Sequence, residues 1–505
     1  MKVFFVYPNA QSQPGFNYGL AHISALLKQA GHSVSLWHLC EDLDPLPSKQ
    51  EFIARIQAEQ PDIIGFSVVT NQWAYTQELA DWAREASQAP LVCGGVHTLA
   101  DPEAVLKSNL FDYIFVGESE EAVVEFVDKY SRSADVRSIR NLGYLEDDKP
   151  HINPIRPLPD LISQPMKDYQ IFDFQKLIDV KNGWVGLMAS RGCPFSCTYC
   201  FNHHMVEYYK NDLQCSFRQL GYVRHFPVSQ IIEEINFLLS NYKNITTFIF
   251  DDDLFTFYKD YLVDFCNAYR QTTTLPFVVN AHINVFDQIR AEYLAAANCK
   301  IVKFGLESGS ERIRREVLNR KMSNKKIERS IRLANENGLH SSVFLMIGLP
   351  GESLEDLMAT IKLTASSLPG RFRWSFFYPF PGTRAYDITV DLGYLDREKQ
   401  DSLTNFTEGS CLDFGPNHNL FLEKVGKILP WYVNAYSSLP VAHFYRDKIQ
   451  ELEDLDREQW KEREKTILDE DVQISKELSR QGLSHYAIKY NPFMGVISDY
   501  FLNER

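Results

Sequence analysis

Nowhere in the 505 residues does an apolar run approach the roughly 18 residues needed to cross a bilayer, so no membrane span is expected. Basic charge is not in excess either. The net charge is −14, which argues against a broad nucleic-acid-binding face while leaving room for a local basic pocket. Cysteine is sparse and odd in number, nine in all, with three clustered and six scattered. That pattern is not a disulfide framework. Cys40, Cys93, Cys215, Cys266, Cys299 and Cys411 read as small buried hydrophobes. The first residues, Met1 to Pro8, read as a strand and lack a small-residue cleavage site, so no signal peptide is expected. Thiols without partners and no signal peptide together predict a reducing, cytoplasmic setting.

What is present is a globular composition, 45% hydrophobic and 23% charged, on a length that suits two or three domains. The most informative stretch runs from Met188 to Asn202 and holds Cys193, Cys197 and Cys200 in C-x3-C-x2-C spacing. An apolar run, Gly183 to Met188, leads into it. Three thiolates this close can hold three corners of a cubane 4Fe–4S cluster and leave the fourth iron open for chemistry. With His203 and His204 just beyond, the same triplet could instead form a structural Cys3His zinc site. No second cysteine cluster follows, so no auxiliary iron–sulfur cluster is expected.

Residues 1–131 alternate strands and helices: strands at Val3–Tyr7, Ser33–Leu39, Asp62–Val68, Leu91–Gly94 and Tyr113–Val116, with helical spacing between them. This predicts a doubly wound parallel, Rossmann-like sheet. Such sheets bind ligands at the carboxyl ends of their strands. Those ends carry Ser67 and Thr70, Gly94, Gly95 and His97, and Gly117 and Glu118. Taken singly, each is an ordinary turn residue. Residues 132–181 are rich in proline and read as an extended linker. From 182 to 386 the strand–helix pattern returns, with strands around Thr246–Phe250, Phe277–Asn280, Ile301–Ser308, Ser342–Ile347 and Arg373–Tyr378. Counting the run before the triplet, six units predict a partial (β/α)6 TIM-type barrel with its chemistry at the strands' carboxyl ends. Residues 387–505 read as a mainly α-helical capping region whose aromatic segments, Pro430–Tyr432 and Tyr490–Met494, either shape a pocket or fill a core.

The triplet, with Tyr199 before its last cysteine, resembles the signature of the radical S-adenosylmethionine (radical SAM) superfamily. Gly305–Ser310 resembles that family's fourth-strand motif, Ile347–Glu352 its fifth, and Pro379–Thr383 the turn after its sixth strand. The resemblance implies that Cys193, Cys197 and Cys200 ligate the cluster and that the open iron binds S-adenosylmethionine, which one electron cleaves to a 5′-deoxyadenosyl radical. It further implies that Arg320 pairs with the S-adenosylmethionine carboxylate, where a guanidinium can form two parallel hydrogen bonds. Glu307 and Ser308 would reach the ribose or amine, Gly348 would pack on adenine, and Asn280 is the polar third-strand residue. Asp251, Asp252 and Asp253 end the second strand; Asp252 is taken as the S-adenosylmethionine contact, with a divalent-metal site or a solvated turn as alternatives.

Gly31–Val34, Pro61–Ser67, Gly94–Thr98 and Val116–Glu120 look like the cobalamin-binding domain that precedes many radical SAM cores. On that resemblance Ser67, Thr70, Gly94, Gly95, His97, Gly117 and Glu118 would contact cobalamin. The Asp-x-His-x-x-Gly motif that supplies an imidazole to cobalt in cobalamin mutases is lacking. The family implies an enzyme, with cobalamin-dependent methylation of an unactivated carbon as the expected reaction. Ring closure, rearrangement or oxidation with the same cofactors is one alternative, and an iron–sulfur sensor without turnover another. The expected partners are a small-molecule, lipid or peptide substrate and an electron donor such as flavodoxin or ferredoxin.

Overall fold

A computed structural model describes residues 1–403, 409–489 and 493–497. The chain divides into two compact units, Met1–Pro194 with Phe201–Asp253, and Phe195–Cys200 with Leu254–Arg505.

The first unit is built on a seven-stranded sheet. Its strands are β1 (Lys2–Pro8), β2 (Ser33–Leu39), β3 (Ile63–Ser67), β4 (Leu91–Gly94), β5 (Tyr113–Phe115), β6 (Leu142–Glu146) and β7 (Lys149–Ile152). The order is β2-β1-β3-β4-β5-β6-β7, and β1 to β5 pair in parallel. Their apolar runs are buried on both faces, as a sheet covered by helices requires; Phe4, Val6, Ile64, Phe66 and Cys93 pack with Phe52, Ile56 and Leu79. The covering helices start where the sequence caps them. Asn17 accepts from the Leu20 N–H at 3.0 Å ahead of Tyr18–Gln29, and Ser48 with Glu51 forms a capping box on Lys49–Glu59.

The proline-rich segment behaves differently from the extended connector the sequence suggests. Within it β6 and β7 form an antiparallel hairpin that joins the sheet beside β5. The sheet is therefore mixed. Pro150 lies in β7, the last strand, where a missing N–H leaves no ladder bond unmade on the open side. The same unit holds the first two core strands, Trp184–Leu187 and Thr247–Phe250, paired in parallel with Leu187 beside Phe250.

In the second unit, strands Phe277–Ala281, Cys299–Glu307, His340–Ile347 and Arg371–Phe376 pair in parallel, each with its neighbour in sequence. The helices Gln288–Ala296, Asn324–Glu336 and Leu354–Ser367 alternate with them. With the two strands of the first unit, these supply the six strands read from the sequence. The C-terminal region is mainly helical: Pro416–Tyr436, Ala442–Glu453 and Arg457–Arg480. Trp431, Tyr432, Tyr445 and Trp460 are buried in it, so this aromatic group is core. Two short strands, Tyr486–Ile488 and Met494–Ile497, pair antiparallel with each other, and the latter pairs antiparallel with Arg371–Phe376. Tyr490, Asn491 and Pro492 lie outside the described residues. Among the described residues no helix is long and apolar enough to cross a membrane.

Candidate active site

The carboxyl ends of β1, β3, β4 and β5 open onto a cavity of about 640 Å³ within the first unit. Ser67, Gly94, Gly95, Gly117 and Glu118 line it, as the sequence predicts, and Phe5, Tyr7, Tyr18, Met188, Arg191 and Asp253 complete its walls. Two glycines here are conformationally obligatory. Gly95 has φ +108°, and a Cβ would sit 2.5 Å from the Val68 carbonyl oxygen; Gly117 has φ +79°, and a Cβ would sit 2.6 Å from the Tyr209 hydroxyl. Thr70 and His97 stand outside the lining. His97 packs at a tilt against Trp73 with ring centroids 4.6 Å apart, and its Nδ1 lies 3.4 Å from the Thr70 hydroxyl. Burial lowers its pKa to about 4, so it is a neutral packing residue.

Glu118 is a structural clasp rather than an open ligand group. Its carboxylate accepts from Arg191 Nη1 at 2.7 Å and from Arg224 Nη2. Arg191 and Arg224 face each other across an antiparallel pair, so both guanidinia meet one carboxylate. Burial pushes the Glu118 pKa up, but the two guanidinia outweigh it and the net shift is downward. Glu120 takes the other side of Arg191 Nη1 at 2.5 Å.

The three aspartates after Phe250 have three different roles. Asp251 accepts from the Tyr18 hydroxyl at 2.7 Å. Asp252 is wholly buried and accepts from the Ala189 N–H at 3.0 Å and from the Ser190 hydroxyl, bracing the chain just ahead of the cysteine triplet. Burial raises its pKa to about 7 against those hydrogen bonds. Asp253 is the one that lines the cavity, and it accepts from Asn202 Nδ2 at 2.8 Å.

In the second unit, Cys197, Tyr199, Glu307 and Arg320 come together. Arg320 Nη1 lies 3.4 Å from Cys197 Sγ and 3.2 Å from the Tyr199 hydroxyl, while Nη2 donates to the Gly305 carbonyl at 2.5 Å. Tyr199 donates to Glu307 Oε1 at 3.0 Å. Glu307 sits at a register shift between its strand and the next, with φ +66°, a strained conformation for a side chain of its size. Burial raises its pKa, opposed by Arg320 and Tyr199. The loop is pinned from below: Thr198 Oγ1 donates to the Val317 carbonyl at 2.6 Å, and Asn319 Nδ2 to the Ser196 carbonyl at 2.8 Å. Phe195 stacks on His282 at 3.7 Å.

Other predicted positions are further back. Ser308 is fully buried and its hydroxyl accepts from the Ser310 N–H at 3.2 Å, beside Thr360 Oγ1 at 3.3 Å, so it shapes the turn after Glu307. Asn280 lies on its strand beside Lys303. Gly348 has φ +72°, and its N–H is held at 2.7 Å by Glu352. Burial raises the Glu352 pKa to about 8 against that bond. Sequence reasoning gave no role to Arg191, Glu120, Tyr18 or Glu352, although Arg191 lies two residues ahead of Cys193, Glu120 ends the Val116–Glu120 stretch and Glu352 ends the Ile347–Glu352 motif.

The residues fit the groups that the resemblance implies. The Cys197 thiol with the Arg320 guanidinium 3.4 Å away suits one corner of an iron–sulfur cluster beside an anionic ligand. Arg320 Nε is buried with no partner among the described residues, leaving a donor for a carboxylate. The glycine-edged cavity admits a bulky planar group close to the backbone.

Comparisons with known proteins agree with this architecture. The family model for the radical SAM superfamily matches residues 187–364, and that for the B12 binding domain matches residues 12–127. The chain thus carries a B12 binding domain ahead of a radical SAM domain, and the cofactors of these domains are cobalamin and, for the radical core, a 4Fe–4S cluster with S-adenosylmethionine. It is similar to an uncharacterized methyltransferase of Pyrococcus horikoshii, 28% identical over 403 residues, 77% of this chain and 83% of that one. It is also similar to the anaerobic magnesium-protoporphyrin IX monomethyl ester cyclase of Rubrivivax gelatinosus, 23% identical over 439 residues, covering 82% of this chain and 75% of that one. Among solved structures it shares the fold of the radical S-adenosylmethionine methyltransferase TsrM from Kitasatospora setae, with a TM-score of 0.64, 19% identity, and coverage of 77% of this chain and 78% of that one.

Proposed function

We propose that the chain methylates an unactivated carbon of a small-molecule substrate, using the cluster, S-adenosylmethionine and cobalamin together. Bound together, these groups supply a 5′-deoxyadenosyl radical for hydrogen abstraction and a cobalt-borne methyl group. The observation that carries the reading is the presence, in one chain, of a glycine-edged cavity in the B12-binding domain and of the Cys197–Arg320–Tyr199–Glu307 group in the radical SAM core. The protein's own residues hold and orient. Cys193, Cys197 and Cys200 take three irons. Arg320 clamps the S-adenosylmethionine carboxylate, Glu307 its amine or ribose, and Gly348 with Glu352 keeps the fifth-strand turn open for adenine, with Ser308 and Asn280 shaping the neighbouring turn and strand. Ser67, Gly94, Gly95 and Gly117 let the corrin approach the sheet, with Thr70 and His97 packed behind. A flavodoxin or ferredoxin is the electron donor this chemistry requires.

A second reading, ring closure or oxidation without methyl transfer, is supported by the similarity to the Rubrivivax gelatinosus cyclase along most of the chain. Anaerobic reconstitution followed by reduction with S-adenosylmethionine tests both. The methylating reading expects 5′-deoxyadenosine and S-adenosylhomocysteine together. 5′-Deoxyadenosine alone favours the second reading. S-adenosylhomocysteine alone keeps methyl transfer but removes the radical step, and neither product from an enzyme with an intact cluster overturns both.

A further inference from the structure

Glu120 begins the helix Glu120–Ser131 and is 5% exposed. Its Oε1 accepts from Arg191 Nη1, but no donor among the described residues reaches Oε2. Among the side chains that line the cavity, it is the one with an enclosed polar atom lacking a partner among the described residues. Its neighbours are satisfied: both oxygens of Glu118 meet arginines, Asn17 Nδ2 donates to Ser67 Oγ at 3.0 Å, and Asp253 accepts from Asn202. A buried carboxylate oxygen left without a donor destabilises the fold. A donor arriving in the cavity removes that cost.

Building on the corrin reading of this cavity, we propose that Glu120 is a cofactor-binding and relay residue: Oε2 accepts a hydrogen bond from a primary amide of the corrin periphery, and Oε1 passes the contact through Arg191 to the loop that begins at Cys193. The geometry supports both halves. The Cγ–Cδ torsion of a glutamate is soft, so a small rotation turns Oε2 to an amide N–H in the cavity. That same rotation re-aims Oε1 on the guanidinium. Arg191 Nη1 is shared between Glu120 Oε1 and Glu118 Oε2, so a change at Glu120 shifts the balance on that one nitrogen, two residues ahead of Cys193. The corrin carries several such amides, and a carboxylate is the acceptor that binds them most strongly.

The test uses the full chain, reconstituted anaerobically, with Glu120→Gln and Glu120→Asp. In Glu120→Gln the amide oxygen goes to Arg191 and an NH2 group faces the cavity. Cobalamin affinity, titrated by visible absorption, should fall about tenfold or more, while iron content stays at the wild-type level. Glu120→Asp, which keeps the carboxylate, should recover part of the loss. Cobalamin should shift the electron paramagnetic resonance signal of the reduced wild-type cluster, and the Gln variant should lose that shift. Equal cobalamin affinity in wild type and Glu120→Gln would overturn the binding role, and a wild-type signal indifferent to cobalamin would overturn the relay. A wild-type chain that binds no cobalamin would instead remove the corrin reading itself.

Discussion

Arg320, in the loop after the helix Glu311–Glu316, contacts the Gly305 carbonyl of the strand Cys299–Glu307, the Tyr199 hydroxyl and the Cys197 thiol with one guanidinium. A lysine carries the same charge but cannot reproduce the fork. Arg320→Lys should therefore weaken S-adenosylmethionine binding about tenfold or more while leaving iron content unchanged, as isothermal titration beside iron analysis would show. Asp252 makes a different prediction. Its ordinary pKa of 3.8 is raised by burial to about 7 in the folded chain. Between those values the unfolded chain has released the proton and the folded chain retains it, so stability is greatest below the lower value and falls as pH rises toward 7. Asp252→Asn, which cannot ionise, should flatten the pH dependence of the urea midpoint across that window. Residue roles were unevenly legible. The triplet, Glu307 and Arg320 stand in spaced motifs, and the structure brings Cys197, Glu307 and Arg320 together. Glu118 and Asp252 also stood in motifs, but their partners, Arg224 and Ser190, lie 106 and 62 positions away, a separation that spacing cannot reveal.

At the level of elements, the parallel strands and their helices were readable because each carries a buried apolar run or a helical stripe with a cap. The hairpin of β6 and β7 was not. Its strands are short, one contains Pro150, and what stabilises them is pairing with β5, a tertiary fact. The turns at the carboxyl ends were legible through glycine. Gly95→Ala should be costly in two ways, through its positive φ and through the Val68 carbonyl its Cβ would meet. The loss should reach about 1–3 kcal/mol in denaturant unfolding, with a parallel loss of cobalamin uptake.

For the whole molecule, cofactor occupancy should appear as stability. Cobalamin bound to the folded chain alone, at a free concentration of roughly 100 times its dissociation constant, adds about 2.7 kcal/mol, which differential scanning calorimetry would register as a higher melting temperature. The C-terminal strands bear on a different property. Arg371–Phe376 pairs with Met494–Ile497, which among the described residues is flanked in turn by the three-residue strand Tyr486–Ile488. A long parallel strand left bare presents a row of unmet N–H and C=O groups, a template on which other chains can add. The described tail strands thus satisfy that edge of Arg371–Phe376. Cutting the chain after His485 should leave the cysteine loop intact in sequence yet expose the edge of Arg371–Phe376, so that the shortened chain aggregates on concentration more than the full chain does, visible by light scattering.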